Sequence, residues 1–169
     1  MKRLTPLLPA FLLLLACGGQ DPKPRPQATF QGTFSAAMKA CHDADLDALW
    51  PFLTMRAQEG VKKTLRNWQR RFQDPEEGPF LRGLIEERLG TISQAEFDQA
   101  ATGSIQDAFR LMIRADPRAE KPRQIGIEIS KDGATVKLRY VSTSGGQPRE
   151  DVATLVRRDS GWYLDEFWL

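Results

Sequence analysis

The sequence changes from a helical to a strand periodicity at Pro122, and this change constrains the fold more than any other feature. Before Pro122, apolar residues recur at spacings of three and four, which is the period of an amphipathic helix. After Pro122, apolar and polar residues alternate, which is the period of a strand with one buried face. Helices followed by strands predict an α+β domain rather than alternating βαβ units with a parallel sheet.

The first part of the chain contains six segments with a helical pattern. The first segment begins near Ala28, and Asp45 and Ser93 are placed to cap the starts of later segments. Ser93 with Glu96 fits a capping box that opens a short helix at Gln94. The other five segments carry these apolar stripes: Phe30, Phe34, Ala37, Met38, Cys41; Leu46, Leu49, Trp50, Leu53; Val61, Leu65, Trp68, Phe72; Phe80, Leu81, Leu84, Ile85, Leu89; Ile105, Ala108, Phe109, Met112, Ile113.

The last part of the chain predicts four strands that are joined by short turns at 131–133, 144–147 and 159–161. Four strands with such turns form an antiparallel meander. Because one side of each strand is apolar, we expect the preceding helices to cover one face of the sheet. The apolar residues that alternate along the four strands are Ile125, Ile127, Ile129; Val136, Leu138, Tyr140; Val152, Thr154, Val156; and Trp162, Leu164.

Residues 1–16 have the composition of an export signal. Lys2 and Arg3 give a positive start, and residues 7–16 form an apolar segment of the length expected for a signal core. A membrane-spanning helix needs about 20 apolar residues, and Pro9 interrupts this shorter run. The segment is therefore interpreted as a cleaved signal peptide and not as a transmembrane helix.

The residues Leu14-Leu15-Ala16-Cys17 at the end of this segment resemble the lipobox of bacterial lipoproteins. The resemblance implies cleavage before Cys17, transfer of diacylglycerol to its thiol, and often a third acyl chain such as palmitate on its amine. The protein would then be anchored in a membrane of the cell envelope, on the exported side. Gly18 in place of Asp favours the outer membrane if the bacterium has two membranes. The alternative is a plain secreted protein in which the cysteine is coincidental.

Residues 17–28 are predicted to be the lipidated cysteine and a Pro/Gly-rich tether, because this stretch is rich in proline and has little to bury. A tether of polyproline II character would reach on the order of 30 Å. The whole chain has a formal charge of +2, but Lys2 and Arg3 belong to the signal. Without them 22 basic residues balance 22 acidic ones, so no basic field indicates nucleic acid as a partner.

The cysteine and histidine content limits disulfides and metal sites. If Cys17 is lipidated, Cys41 is the one cysteine that remains, and an intrachain disulfide is not expected. Cys41 lies on a predicted apolar stripe, which favours a small buried side chain over a reactive thiol. With a single histidine, His42, the chain lacks the ligands of the usual zinc sites, and no cofactor is predicted.

Two segments, 43–53 and 151–167, resemble NTF2-like (cystatin-like α+β) domains. The first has Asp-Leu followed by Trp50 on a short helix, and the second has a turn before Trp162-Tyr163-Leu164-Asp165. The resemblance implies one domain over residues 29–169, with the helices packed on a curved four-stranded sheet in a cone that encloses a cavity. Such domains include isomerases, dehydratases, ligand binders and interaction surfaces, so the fold does not select the function.

The leading functional hypothesis is a non-enzymatic, membrane-anchored envelope lipoprotein that binds an envelope protein or a small apolar ligand. The alternative is a pocket enzyme of the NTF2-like isomerase or dehydratase kind, which needs a general base and a donor to an oxyanion. The candidates for these roles are His42, Asp45 and Asp165 as bases and Tyr140 and Tyr163 as donors. A third hypothesis is an inhibitor or maturation factor that uses an exposed patch of Trp162, Phe167 and Trp168, which core packing would equally explain.

Overall fold

The computed structural model describes residues 26–115, 122–144 and 147–166. In this part of the chain, helices come first and an antiparallel sheet comes last, which confirms the predicted α+β class. The elements are α1 (Phe30–His42), α2 (Leu46–Leu49), α3 (Met55–Gln73), α4 (Glu77–Leu89), α5 (Gln94–Thr102), α6 (Ile105–Ala115), β1 (Arg123–Ile129), β2 (Thr135–Ser144), β3 (Gln147–Arg158) and β4 (Gly161–Glu166). The predicted lipobox with Cys17, and Phe167 to Leu169, lie outside the described residues.

Side-chain caps fix the starts of several helices. Thr29, Asp45, Thr54 and Ser93 each accept a hydrogen bond from a backbone N–H in the first turn of α1, α2, α3 and α5, respectively. Each cap satisfies a donor that has no partner inside its helix, and such a cap typically contributes about 1 kcal/mol. The caps predicted at Asp45 and Ser93 are confirmed, and Pro26–Ala28 form a single 3-10 turn ahead of α1.

The sheet has the order β1-β2-β3-β4, and every neighbouring pair is antiparallel. This arrangement confirms the predicted meander. The register shifts once between Gln124 and Gly126 in β1, and once between Thr154 and Leu155 in β3. Shifts of this kind bend a strand and increase its twist. The strand β1 forms one edge of the sheet and β4 forms the other.

Two clusters of buried side chains hold the fold together. The larger cluster lies between the helices and one face of β2, β3 and β4, and Leu49, Leu65, Phe109, Leu155 and Leu164 are fully buried in it. A second cluster lies among α3, α4, α5 and α6, where the Phe72 and Phe97 ring centroids are 5.2 Å apart. The helical layer thus has a core of its own in addition to the one that it shares with the sheet.

The apolar stripe predicted on α4 is only half buried. Leu81 and Ile85 face the helical core, as expected, but Phe80 and Leu84 are exposed. The prediction of one continuous buried stripe was therefore wrong. The physical reason is that α4 covers the outside of α3 with a single flank, and nothing in the described structure covers the adjacent flank, which is one residue (100° of helix) away.

The strand pattern was right for β2 and wrong for β3. Val136, Leu138 and Tyr140 are buried, as predicted. In β3 the buried positions are Asp151, Ala153 and Leu155, while Val152 is 49% exposed on the opposite face. Both alternations along β3 contain apolar residues, so the pattern alone could not select the inner face. Pairing with β2 selects it, because residues directly opposite each other point to the same face.

The isoleucines of β1 also differ from the prediction, because they are exposed rather than covered. Ile127 and Ile129 lie opposite Leu138 and Val136, so they belong to the face that packs against the helices. They are nevertheless 41% and 61% exposed, because the buried cluster ends at β2. The helices therefore cover β2, β3 and β4 and leave β1 uncovered.

Gly78 and Gly83 form a matched pair for testing how α4 packs. A Cβ at position 78 would lie 2.5 Å from the Phe72 backbone oxygen, whereas one at position 83 would have no neighbour within 4 Å. We expect Gly78→Ala to lower the free energy of unfolding by about 1–3 kcal/mol through overpacking. We expect Gly83→Ala to raise it by about 0.5–1 kcal/mol, because alanine favours a helix interior. Urea denaturation measures both values, and equal effects would contradict the packing described.

Candidate functional site

The predicted catalytic residues lie in separate places, and most have structural roles. The Asp45 carboxylate caps α2 by accepting from Ala48 N at 2.9 Å. Asp165 accepts a hydrogen bond of 2.7 Å from Thr54 Oγ1. The hydroxyl of Tyr163 lies 2.6 Å from Ser160 Oγ in the turn that precedes it. These side chains do not converge on one cavity.

Asp165 belongs to a charged network at the end of β4. Its carboxylate is 3.4 Å from the Arg56 guanidinium, and Arg56 also pairs with Glu166. A cleft of about 220 Å³ opens here between α3 and β4, and its floor is the Ala57, Gly60 and Val61 face of α3. An acid that accepts from a hydroxyl and pairs with an arginine is fixed in position by its neighbours, which suits a structural role.

His42 lines a second cleft, of about 400 Å³, between the end of α1 and the helices α5 and α6. The imidazole Nδ1 lies 3.6 Å from the Asp43 carboxylate. The opposite wall carries Asp107, Arg110 and Arg114, with Glu96 beside Arg114. The cleft therefore contains both signs of charge, and the apolar residues Ala44 and Leu111 also line it.

Two carboxylates of this cleft, Asp43 and Asp107, have a lowered pKa and are therefore poor proton acceptors. A hydrogen bond from Lys39, with a smaller contribution from His42, lowers the pKa of Asp43. Hydrogen bonds from Ser104 and Gln99, with a smaller effect of Arg110, lower the pKa of Asp107. A general base works best with a pKa near the operating pH, and these shifts move both acids away from it. Asp43 and Asp107 are therefore poorly suited to act as the base of an acid–base site.

Tyr140 belongs to a buried polar cluster on the inner face of the sheet. It lies directly opposite Asp151 in the β2–β3 ladder. Asp151 accepts a hydrogen bond of 2.9 Å from Ser142 Oγ and lies 3.1 Å from Arg149 Nε. The Phe34 ring packs on Tyr140 at 5.0 Å between centroids. This cluster brings a hydroxyl and a carboxylate to neighbouring positions away from bulk solvent.

Asp151 and Ser142 were not among the site residues predicted from the sequence. The apolar alternation of β3 was placed on Val152, Thr154 and Val156, which gives no reason to expect a buried Asp151. The signal that could have found it is the hairpin pairing. The buried Tyr140 must have a neighbour on the same face of β3, and a turn centred on 145–146 places Asp151 there.

Exposed apolar side chains are concentrated on two elements. The α4 surface consists of Phe80 and Leu84, and Phe80 is 65% exposed. The β1 surface consists of Ile125, Ile127 and Ile129. Contiguous exposed apolar groups commonly mark sites of protein interaction. The predicted aromatic patch at the chain end is not one of these exposed surfaces. Trp162 is half-buried against Phe30, and Phe167 and Trp168 lie outside the described residues.

Comparison with known proteins adds no assignment. Among residues 26–115, 122–144 and 147–166, no three His, Cys, Asp or Glu side chains are grouped so that they could hold a metal ion. No helix in the described ranges has the length and hydropathy required to cross a bilayer. No family model matches the sequence, and no curated protein or solved structure is similar to it.

Proposed function

We propose that this chain is an envelope lipoprotein, anchored through Cys17, whose domain binds another envelope protein and does not catalyse a reaction. Residues 1–16 would be removed as the signal peptide, and the segment after Cys17 would hold the domain away from the lipid. The anchor would lie on the exported side of the membrane, with the outer membrane favoured in a double-membrane bacterium. Support for this part comes from the lipobox pattern alone.

The observation that carries the binding role is the α4 surface. Phe80 and Leu84 are one helical turn apart and exposed together, although Leu81 and Ile85 already anchor the helix. An amphipathic helix needs one apolar flank to pack on its own domain, so the second flank is available to a partner. Burying a phenylalanine contributes about 1.5–3 kcal/mol, which corresponds to about tenfold in affinity or more.

A photo-crosslinking experiment tests this role. With a photoreactive residue in place of Leu84, membranes of intact cells should give one discrete adduct with another envelope protein. Phe80→Asp in the same chain should reduce that adduct about tenfold, because it removes the neighbouring apolar contact. The matched control places the photoreactive residue at Arg66, which is exposed on α3. If position 84 gives no more adduct than position 66, the proposed role is wrong.

The second candidate is a pocket enzyme in an NTF2-like cone. The observation in its favour is that Tyr140 and Asp151 are neighbours on the inner face, next to two register shifts that bend the sheet. The tyrosine hydroxyl can polarise a carbonyl group by donating a hydrogen bond to it. The neighbouring carboxylate can then accept a proton from the carbon next to that carbonyl. This candidate requires access to the cluster. It fails if no small carbonyl compound changes the NMR signals of the Tyr140 ring.

A further inference from the structure

The edge strand β1 has an isoleucine at every second position from 125 to 129. Residues 125–129 read Ile-Gly-Ile-Glu-Ile, so Ile127 has an isoleucine two residues away on either side. The strand order places β2 on one side of β1 and no described strand on the other. An edge strand offers unpaired backbone donors and acceptors to a further strand. A two-fold interface brings the same patch of both subunits together, so it needs a surface that complements itself.

We propose that β1 pairs with β1 of a second copy of this chain, in an antiparallel ladder whose two-fold axis passes through Ile127. This inference rests on the proposed membrane anchor and assigns the β1 surface to self-association. In this register, Ile127 faces Ile127 of the second copy, and Ile129 lies beside Ile125 of the second copy, where the register of β1 shifts. The three exposed isoleucines of each copy then lie at one contact, and the two sheets join into one sheet of eight strands.

The charges support the same register. Gly126 would face Glu128 of the second copy, and on its other side Gly126 already pairs with Arg139 of β2. The Arg139 side chain lies over this glycine, with its Cδ 3.6 Å from the position that a Cβ would occupy. Arg139 already pairs with Glu150 at 3.1 Å. Because glycine has no side chain, the carboxylate of the second copy can approach the Arg139 guanidinium across it as a second acceptor. Symmetry produces this ion pair twice.

The proposed β1–β1 interface is small, and its size determines whether the dimer forms in dilute solution or on a membrane. A stable dimer usually buries about 1,200–2,000 Å² in total, and a ladder of five residues falls below that range. The register shift between Gln124 and Gly126 leaves Ile125 outside the regular pairing with β2, so it ends the regular ladder there and limits extension toward Arg123. Anchoring both copies in one membrane raises their effective concentration, as a linker does for two tethered modules. We therefore expect the dimer on membranes rather than in dilute solution.

Cysteine cross-linking in membranes of cells that make the full chain tests the register. In Ile127→Cys the two Cα atoms would lie about 4.5–5.5 Å apart, which permits a disulfide. In Ile129→Cys they would be offset by four residues, or about 13 Å, which does not. Val152→Cys is an exposed control on the outer face of β3. After mild oxidation, Ile127→Cys should give a homodimer at least tenfold more abundant than either control.

Charge reversal provides an independent measurement on the Ile127→Cys chain. Glu128→Arg should reduce the disulfide dimer several-fold, and adding Arg139→Glu should restore it. The proposal is overturned if Ile127→Cys gives no dimer, if Ile129→Cys cross-links equally, or if charge reversal has no effect. It is also overturned if Ile127→Cys forms a disulfide with a different protein. That last outcome would leave the proposed binding role standing, and loss of the Leu84 adduct would not affect the dimer.

Discussion

Phe109→Ala is expected to lower the free energy of unfolding by about 3–5 kcal/mol, the range measured for truncation of large buried aromatic side chains. Phe109 lies on α6, is 0% exposed, and belongs to the cluster that joins the helices to the sheet. Its removal would leave a cavity at the point where α6 meets the larger core. A typical domain is stable by about 5–15 kcal/mol, so this one change removes a large share of the total.

Phe80→Ala is the matched control for this experiment. Phe80 is 65% exposed, so its loss should change the free energy of unfolding by no more than about 0.5 kcal/mol. Urea denaturation of both variants, followed by circular dichroism, gives the two values. Similar losses for the two phenylalanines would contradict the core described for this fold. The control also separates stability from binding, because Phe80 belongs to the α4 surface that we assign to a partner.

Local signals in the sequence were sufficient to predict most of the helical part. The residues that cap α2 and α5, Asp45 and Ser93, were identified because a side-chain oxygen that precedes an apolar stripe has a local partner in the first turn. The change of period at Pro122 separated helices from strands, and it too is a signal between residues that are close in the sequence. These features depend on neighbours within about four residues, which the sequence presents directly.

Features that depend on distant neighbours were not predictable. Whether Phe80 or Leu81 faces inward depends on which flank of α4 meets α3. Whether Val152 or Ala153 faces inward depends on pairing with β2. Ile129 has the alternation of a covered strand, but the helical layer ends before it reaches β1. In each case the local pattern allows two answers, and tertiary packing selects one of them.

The candidate site shows the same division. His42 and Asp165 were both predicted as candidate bases. His42 lies at the end of α1, and its position in a mixed-charge cleft depends on α5 and α6. Asp165 lies near the end of β4, and its hydrogen bond to Thr54 joins it to a cap that is 111 residues distant in sequence. The Tyr140–Asp151 pair was not foreseen, because it requires the β2–β3 register. Candidate acids were therefore predictable as residues but not as a constellation.

The proposed contacts on α4 and β1 both depend on the proposed membrane anchor. The described domain exposes two small apolar surfaces, on α4 and β1, and each is too small for tight binding in dilute solution. Confinement to a membrane compensates for weak contacts, because it converts encounters in three dimensions into encounters between neighbours. The anchor therefore supplies the confinement on which both contacts depend.

Cys17→Ser is expected to abolish stable membrane attachment, with the protein moving from the membrane fraction to the soluble fraction after an alkaline carbonate wash. Each buried CH₂ contributes about 0.8 kcal/mol, and one acyl chain alone gives only reversible binding, so the diacylglycerol on Cys17 supplies the stable anchor. The uncleaved signal of the variant does not replace it, because its apolar run is shorter than the roughly 20 residues that span a bilayer. Labelling with a radioactive fatty acid should mark the wild type and not the variant.

Cys41→Ala is the control for this experiment, because Cys41 is buried in the core of the domain and no lipid can reach it there. It should stay attached to the membrane and keep the fatty-acid label, even if its stability falls. A wild-type protein that is soluble after the wash would refute the lipobox interpretation. A Cys17→Ser variant that resists the wash would show that another part of the chain holds the membrane. In the first case the weak surfaces on α4 and β1 would lack the confinement that we propose they require, and the Ile127 cross-link should fall with it. In the second case the confinement would persist without the lipid, and the Ile127 cross-link should remain.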